Sequence, residues 1–399
     1  MRPLRIGVNA LYLIPGGVGG TEIYLRHLLA ALAEIDRTNQ YYVFTNLETG
    51  ADLAPKQANF TTVRQRVNAA FRPARIIWEQ TVLPLSVATR DIDVLLNPGF
   101  TAPLICGRPQ VTVFHDLQHK RHPEYFRWFD LPFWRTLLFW SAQLATLLIA
   151  VSEATRADLE NYYRLPREKI RVVPEGVTPR FSEIARARPA SPPEPFLLTA
   201  STLHPHKNLD RLLRVFTEFR RTRPEYRLVI TGVRGFDTEK LEQLRVALGL
   251  AEAVEFTGWI DRDKLFTLFE RAWAFVYPSN FEGFGLPVLE ALAAGVPTAC
   301  TEIEPLASMA GEAALLFDPS SDAAMLEALV RITSDEALRT KLTAAGPERA
   351  ALFSWTTTAR LTLDVLLEAA RPSRSSPGDE VSIVNKNQRP GKNGVRIKM

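Results

Sequence analysis

The 399-residue sequence predicts an α/β protein made of two open, doubly wound domains that face each other across a cleft. Three observations carry that reading. Short apolar runs alternate with helical patterns through residues 4–174, the alternation stops in a stretch rich in Pro, Ala and Arg, and it starts again at Phe196. Such alternation predicts a parallel sheet wrapped by helices, and two of them joined by a linker leave a ligand-binding crevice between the carboxyl ends of their strands. With 46% apolar and 23% charged residues, the chain has the length and composition for two cored domains.

In the front half, strands are expected at LRIGVN from Leu4, YYVFT from Tyr41, DVLLN from Asp93, VTVFHD from Val111, LLIAVS from Leu147 and IRVVP from Ile170. Helices are expected from about Thr21, around Trp78 to Ala88 and through Phe133 to Leu144. FSEIARARPASPPEP, from Phe181, loses periodicity as a linker does. The second alternation runs through FLLTAS, a helix from Asn208, YRLVIT, a helix near Lys240 to Ala247, VEFTG, a helix near Lys264, AFVYPS, a helix opening at Pro287, and PTACT. A helix from Trp355 closes the ordered part. The expected division is a first domain over 1–176, a linker over 177–195, a second domain over 196–352, a C-terminal helix over 353–370 and a basic tail over 371–399.

A sequence pI near 9.0 invites a nucleic-acid reading, but the charge is unevenly placed. Residues 371–399 hold seven basic and two acidic side chains, a net +5 where the whole chain's formal charge is +4, so residues 1–370 come to −1. A near-neutral folded part excludes nucleic acid as the partner. The tail, rich in Pro, Ser, Gly and Asn, is expected to be disordered and could touch anionic lipid. Cys106 and Cys300 make no paired or metal-ligand spacing, and MRPLRIGVNA lacks the apolar stretch of a signal peptide, so a cytoplasmic location is expected.

The most informative segment is YPSNFEGFGLPVLEALAAGVPTACT, Tyr277 to Thr301. Glu282 falls just past a strand. Gly283 and Gly285 allow φ > 0 and close approach to a ligand, and Pro287 suits the first turn of a helix that Gly295 ends. Backbone N–H groups over Phe284, Gly285, Leu286 and Val288, with the positive end of the helix dipole behind them, suit a diphosphate. Glu290, one turn further in, would repel phosphate and suits ribose hydroxyls instead. Read singly, either glutamate is as easily a solvated surface acid.

Together these residues resemble the E-x7-E signature of retaining glycosyltransferases of family 4, as Glu282 and Glu290 with FGLP between them. The resemblance covers roughly residues 4–370. It implies two Rossmann-like domains in the GT-B arrangement, Glu282 facing the donor sugar, Glu290 holding the ribose, and a last helix that crosses back onto the first domain. It also implies that His115, at the end of VTVFHD, contacts the transferred sugar, and that the glycine-rich loop at Gly19 and Gly20 lies against donor phosphates or acceptor. Lys207 matches the family's phosphate-binding lysine, whereas Ser201, Thr202 and His206 depart from its pattern. A His206 in place of arginine predicts a weaker diphosphate clamp whose strength depends on pH. Glu175 in EGV stands where relatives often carry asparagine, so that asparagine's contact is not carried over.

Other features read as structural. Ser152 is an N-cap for ATRADLENYY, Asp91-Ile-Asp93 precedes a strand, and Asp261-Arg-Asp263 caps a helix. HDLQHKRH lacks a metal-ligand pattern, so no metal and no cofactor beyond the nucleotide sugar is expected. Thr136 to Ser152 carries no charge, yet it divides into a helix and a strand rather than a membrane span. The aromatic residues Phe126, Trp128, Phe129 and Trp134 could form a face for a membrane interface or a lipid-linked acceptor, which would place the protein peripherally on the inner side of the cytoplasmic membrane.

The expected activity is transfer of a hexose, with GDP-mannose the favoured donor from likeness to surface-polysaccharide mannosyltransferases, to an acceptor hydroxyl. Two alternatives stay open: a nucleotide-sugar epimerase of the same architecture, and a binding scaffold with a decayed site.

Overall fold

The computed structural model describes residues 2–16, 19–50, 52–126, 128–189 and 194–371. The basic tail beyond Arg371 lies outside the described residues, as do Gly17 and Val18 of the glycine-rich loop.

Seven strands form the first sheet: β1 (Arg5–Asn9), β2 (Gln40–Thr45), β3 (Phe60–Arg64), β4 (Val94–Asn97), β5 (Gln110–Phe114), β6 (Leu147–Ala150) and β7 (Ile170–Val172). Six form the second: β8 (Phe196–Ala200), β9 (Arg227–Thr231), β10 (Val254–Gly258), β11 (Ala274–Tyr277), β12 (Thr298–Thr301) and β13 (Leu315–Phe317). The spatial orders are β3-β2-β1-β4-β5-β6-β7 and β10-β9-β8-β11-β12-β13, with every pair parallel. Central strands such as β5, β6, β8 and β11 are buried throughout, as the apolar runs predict for sheets covered on both faces.

Strand order reverses between β1 and β4 in one sheet and between β8 and β11 in the other. At such a reversal the loops leaving the strand ends diverge and open a crevice. Lys207 follows β8 and Glu282 follows β11, so both stand at the second sheet's reversal.

The segment read as a linker holds a helix, Pro179–Ala187, whose Phe181 and Ile184 are buried; Phe181 packs edge-on to Phe266 and Phe269 of the helix Arg262–Arg271. The uncharged stretch divides as expected into the helix Leu131–Leu144 and β6, and among the described residues no helix is long and apolar enough to cross a membrane.

The last helix, Trp355–Ala369, begins on a Ser354 cap and returns to the first domain. Trp355 stacks on His27 at 5.2 Å, Thr358 Oγ1 donates to the Pro174 carbonyl at 2.7 Å, and Arg171 pairs with Glu368. One apolar cluster therefore runs from Val8 and Leu28 through Trp355 and Leu366 to Val288 and Leu292, tying the two domains together.

Candidate active site

The helix Leu286–Ala293 starts after Gly285, which has φ 101°, with Pro287 in its first turn. It ends in a glycine motif: Gly295, at φ 64°, donates to the Leu292 carbonyl and Val296 to that of Ala291, both near 3.0 Å. At its start the Val288 N–H is taken by the Gly285 carbonyl at 3.0 Å, so the donors left for a ligand come earlier in the loop. The Phe284 side chain faces inward against Phe353.

Gly283 does something different from what the sequence suggests. Its φ is not positive, and the close approach it permits is to the other domain: a Cβ there would collide with the His115 backbone carbonyl. Its own carbonyl accepts from Ser152 Oγ at 2.7 Å, and the single proton of Thr155 Oγ1 is shared between the His115 carbonyl at 3.1 Å and that of Gly283 at 3.3 Å. Ser152 caps its helix by accepting from the Thr155 N–H. The glutamate loop is thereby seated on the carboxyl end of β5.

Lys207 and Glu282 meet at that seat. Lys207 Nζ donates to Glu282 Oε1 at 2.6 Å and to the Tyr277 hydroxyl at 3.0 Å, with the two charged side chains only 13% and 10% exposed. Burial, together with the charge and hydrogen bond of Glu282, pushes the Tyr277 phenol well above its ordinary range. Asp116 lies close enough to feel both charges; burial raises its pKa, and its carboxylate accepts from the Gln118 N–H at 2.9 Å.

His115 is buried with both ring nitrogens engaged: Nδ1 faces Glu175 Oε1 and Nε2 the Pro98 carbonyl, each at 3.0 Å. A carbonyl and a carboxylate both only accept, so both nitrogens carry protons and the ring is an imidazolium. Burial works against that charge, but the Glu175 hydrogen bond and charge, with the Pro98 carbonyl, outweigh it and raise the His115 pKa. To contact a sugar through its ring, His115 must exchange one of these partners.

Glu290 is buried, and burial raises its pKa against the pull of Arg262, whose Nη1 donates to Glu290 Oε1 at 3.0 Å. Arg262 Nη2 also donates to Thr178 Oγ1, which contacts His27 Nε2, each at 3.2 Å. The second carboxylate oxygen of Glu290 has no partner among the described residues.

His206 is held between its own domain and the first. Its Nδ1 accepts from Gln118 Nε2 of the first domain at 2.7 Å and meets His204 Nδ1 at 2.8 Å. Burial, Lys207, His204 and His122 push its pKa down to about 2, so in the unliganded protein it is neutral. The Gly16 N–H is taken by Glu22 at 2.8 Å, while Gly19, at φ 61°, and Gly20 have open space around them at the helix start. His119 donates to or accepts from the Tyr163 hydroxyl and His122 pairs with Glu124. No cluster of three or more His, Cys, Asp or Glu with metal-site geometry occurs among the described residues.

Beside Asp116 a cavity of about 770 Å³ opens, lined mostly by the first domain and closed on one side by His204 and Phe236 of the second. Two of the four aromatic residues expected on a surface face, Phe126 and Trp134, line this cavity instead; Trp128 and Phe129 are exposed, joined by Phe133 and Trp140. Sequence reasoning assigned no site role to Asp116, Glu175, Arg262 or Tyr277. Asp116 and Tyr277 adjoin recognised motifs and Glu175 stands out in EGV, but nothing local marks Arg262.

Both halves of the chain match family profiles: Glycosyltransferase Family 4 over residues 18–181 and Glycosyl transferases group 1 over residues 181–349. The Escherichia coli O-antigen chain mannosyltransferase B is 30% identical over 360 residues, covering 85% of this chain and 92% of its own length. The sucrose-phosphate synthase of Thermosynechococcus elongatus shares the fold with a TM-score of 0.74 at 21% identity, covering 92% of this chain and 100% of its own. So does HepE of Anabaena, in complex with UDP and glucose, with a TM-score of 0.68 at 18% identity and coverage of 92% and 100%. Two Rossmann-like domains with a charged cleft define a GT-B glycosyltransferase. The chain belongs to the group 1 glycosyltransferase family.

Proposed function

We propose that the protein is a retaining, metal-independent hexosyltransferase that uses a nucleoside diphosphate sugar, GDP-mannose, to extend a sugar acceptor in surface-polysaccharide or glycolipid synthesis. The mannosyl assignment rests on the likeness to the O-antigen mannosyltransferase. The observation that carries the reading is the Lys207–Glu282 pair, buried at the second sheet's strand-order reversal and pressed through Gly283 onto the end of β5.

Without ligand the pair neutralises itself. A bound donor separates its functions: Lys207 turns to the diphosphate, Glu282 to the sugar hydroxyls, and the unpartnered oxygen of Glu290 accepts from the ribose. In the transfer step the bond from the anomeric carbon to the phosphate oxygen breaks, its electron pair leaving with the diphosphate. The acceptor oxygen bonds to the anomeric carbon on the same face, and its proton passes to the departing phosphate oxygen. Negative charge grows on the diphosphate in this step, where Lys207 and the loop N–H groups stabilise it most. No cofactor beyond the nucleotide sugar takes part. The exposed Trp128, Phe129, Phe133 and Trp140 fit an aromatic contact with the inner membrane interface, where a lipid-linked acceptor would reside.

Proton NMR of GDP-mannose with the protein and an acceptor panel tests this. Acceptor-dependent GDP release with an α-linked product is expected. Donor loss without acceptor would indicate an epimerase or hydrolase, binding without turnover a scaffold, and a β-linked product would overturn the retaining mechanism.

A further inference from the structure

The cavity beside Asp116 carries a guanidinium that makes no direct hydrogen bond or ion pair among the described residues. Arg75 lines it, is only 6% exposed, and has no hydrogen bond, ion pair or aromatic stacking partner through its side chain among the described residues. Glu79, one turn further along the same helix, does not serve: its Oε1 accepts from Asn9 Nδ2 at 2.6 Å and Thr101 Oγ1 at 2.9 Å, and its Oε2 is sealed away without a partner. A guanidinium this deeply set, facing a cavity with no protein partner, is stabilised by an anion bound in that cavity.

The helix that bears Arg75 makes the same demand independently. Arg72–Ala88 starts at Phe71 with no side-chain cap and no acid in its first turn; Arg72 and Arg75 stand there instead, adding positive charge to the positive end of the helix dipole. Burial pulls the Arg75 pKa down, the charge of Glu79 opposes it only in part, and Arg72 adds to the pull. Arg72 lines the cavity too. The other charged residues of the lining are two carboxylates, Asp116 and Asp130, of which Asp116 adjoins His115 at the reactive end. Tyr12 and Phe100 in the wall offer flat apolar surfaces for sugar rings.

We propose that this cavity recognises its acceptor through a phosphate ester held by Arg75 and Arg72, so that the substrate extended is a phosphorylated glycosyl compound. This rests on the reading of the protein as a glycosyltransferase with its acceptor in the first domain. Two guanidinium forks match the geometry and charge of a phosphate or diphosphate better than those of a single carboxylate. The same chemistry occurs in a soluble sugar phosphate and in a diphosphate-linked glycolipid headgroup.

The test is calorimetric binding to the full chain already saturated with GDP, which fills the donor phosphate site. Glucose 1-phosphate, glucose linked through diphosphate to farnesol, and methyl glucoside are titrated in turn. One or both phosphorylated probes should bind at least about tenfold more tightly than methyl glucoside, the monophosphate marking a soluble acceptor and the farnesyl probe alone a lipid-linked one. Arg75→Gln should remove that advantage, Arg75→Lys should restore part of it, and GDP affinity should stay within about twofold in each. If Arg75→Gln does not fold, the exposed Arg72→Gln serves in its place and should weaken the phosphorylated probe severalfold. Equal binding of all three probes, or phosphate binding indifferent to Arg75 and Arg72, overturns the proposal. The readout is binding alone, so a failure to transfer sugar counts against the proposed activity and leaves this site standing.

Discussion

Neutralising either member of the Lys207–Glu282 pair should cost more stability than neutralising both. The partners lie 2.6 Å apart with about a tenth of each side chain exposed. Breaking a buried pair by removing one partner costs roughly 3–5 kcal/mol, because the other charge is left uncompensated. The residual exposure and the Tyr277 hydroxyl beside Lys207 favour the lower end, about 3 kcal/mol for Lys207→Met or Glu282→Gln. In a domain of this size that corresponds to a fall of about 6–12 °C in Tm. The double variant removes both charges and should lose less than either single variant, a coupling of more than about 3 kcal/mol. Thermal unfolding of the four proteins without donor, followed by circular dichroism, gives the cycle. Single variants that each shift Tm by less than about 2 °C, or whose effects simply add, would show that the pair is not buried and coupled as described.

Two further outcomes follow from the contact between the domains. Gly283→Ala should lose transfer activity and about 1–3 kcal/mol of stability, since its methyl must displace the His115 carbonyl; an active, equally stable variant would contradict the seating of the loop on β5. Glu175→Gln removes the charge that most raises the His115 pKa, leaving only the Pro98 carbonyl and Asp116 to oppose burial. In the wild type the folded pKa lies above the unfolded value, so the stabilisation is fully present below about pH 6.5 and fades as pH rises through the folded pKa. The stability gap between wild type and variant, about 1.5–3 kcal/mol for a charged hydrogen bond, should be largest below about pH 6.5 and shrink as pH rises above it; a gap that is constant or widens with pH would refute the imidazolium assignment.

Much of the architecture was legible because buried parallel strands are apolar runs whatever surrounds them. β3 escaped for the opposite reason: it is an edge strand pairing only with β2, and FTTVR buries just Phe60 and Val63, with no alternation to make it stand out. The helix Pro179–Ala187 was hidden by its Arg and Ala content, because just Phe181 and Ile184 anchor it. In the site, local chemistry placed Glu282, Glu290, Lys207 and His115 at strand ends and helix starts. Their partners were not legible. Arg262 lies 28 residues from Glu290, Glu175 lies 60 from His115, and Glu282 lies 75 from Lys207, distances that only the order of strands closes. The same holds for Gly283, whose role depends on which backbone the fold brings against it.

Calorimetric titration of GDP-mannose into the wild type, Lys207→Met and Glu290→Gln is the most direct test of the claim that the cleft grips an activated sugar at both its phosphate and its ribose. Each variant should bind at least about tenfold more weakly, the loss expected when one charged hydrogen-bonding group goes, while circular dichroism confirms that each is folded. Wild-type affinity in both folded variants would contradict it.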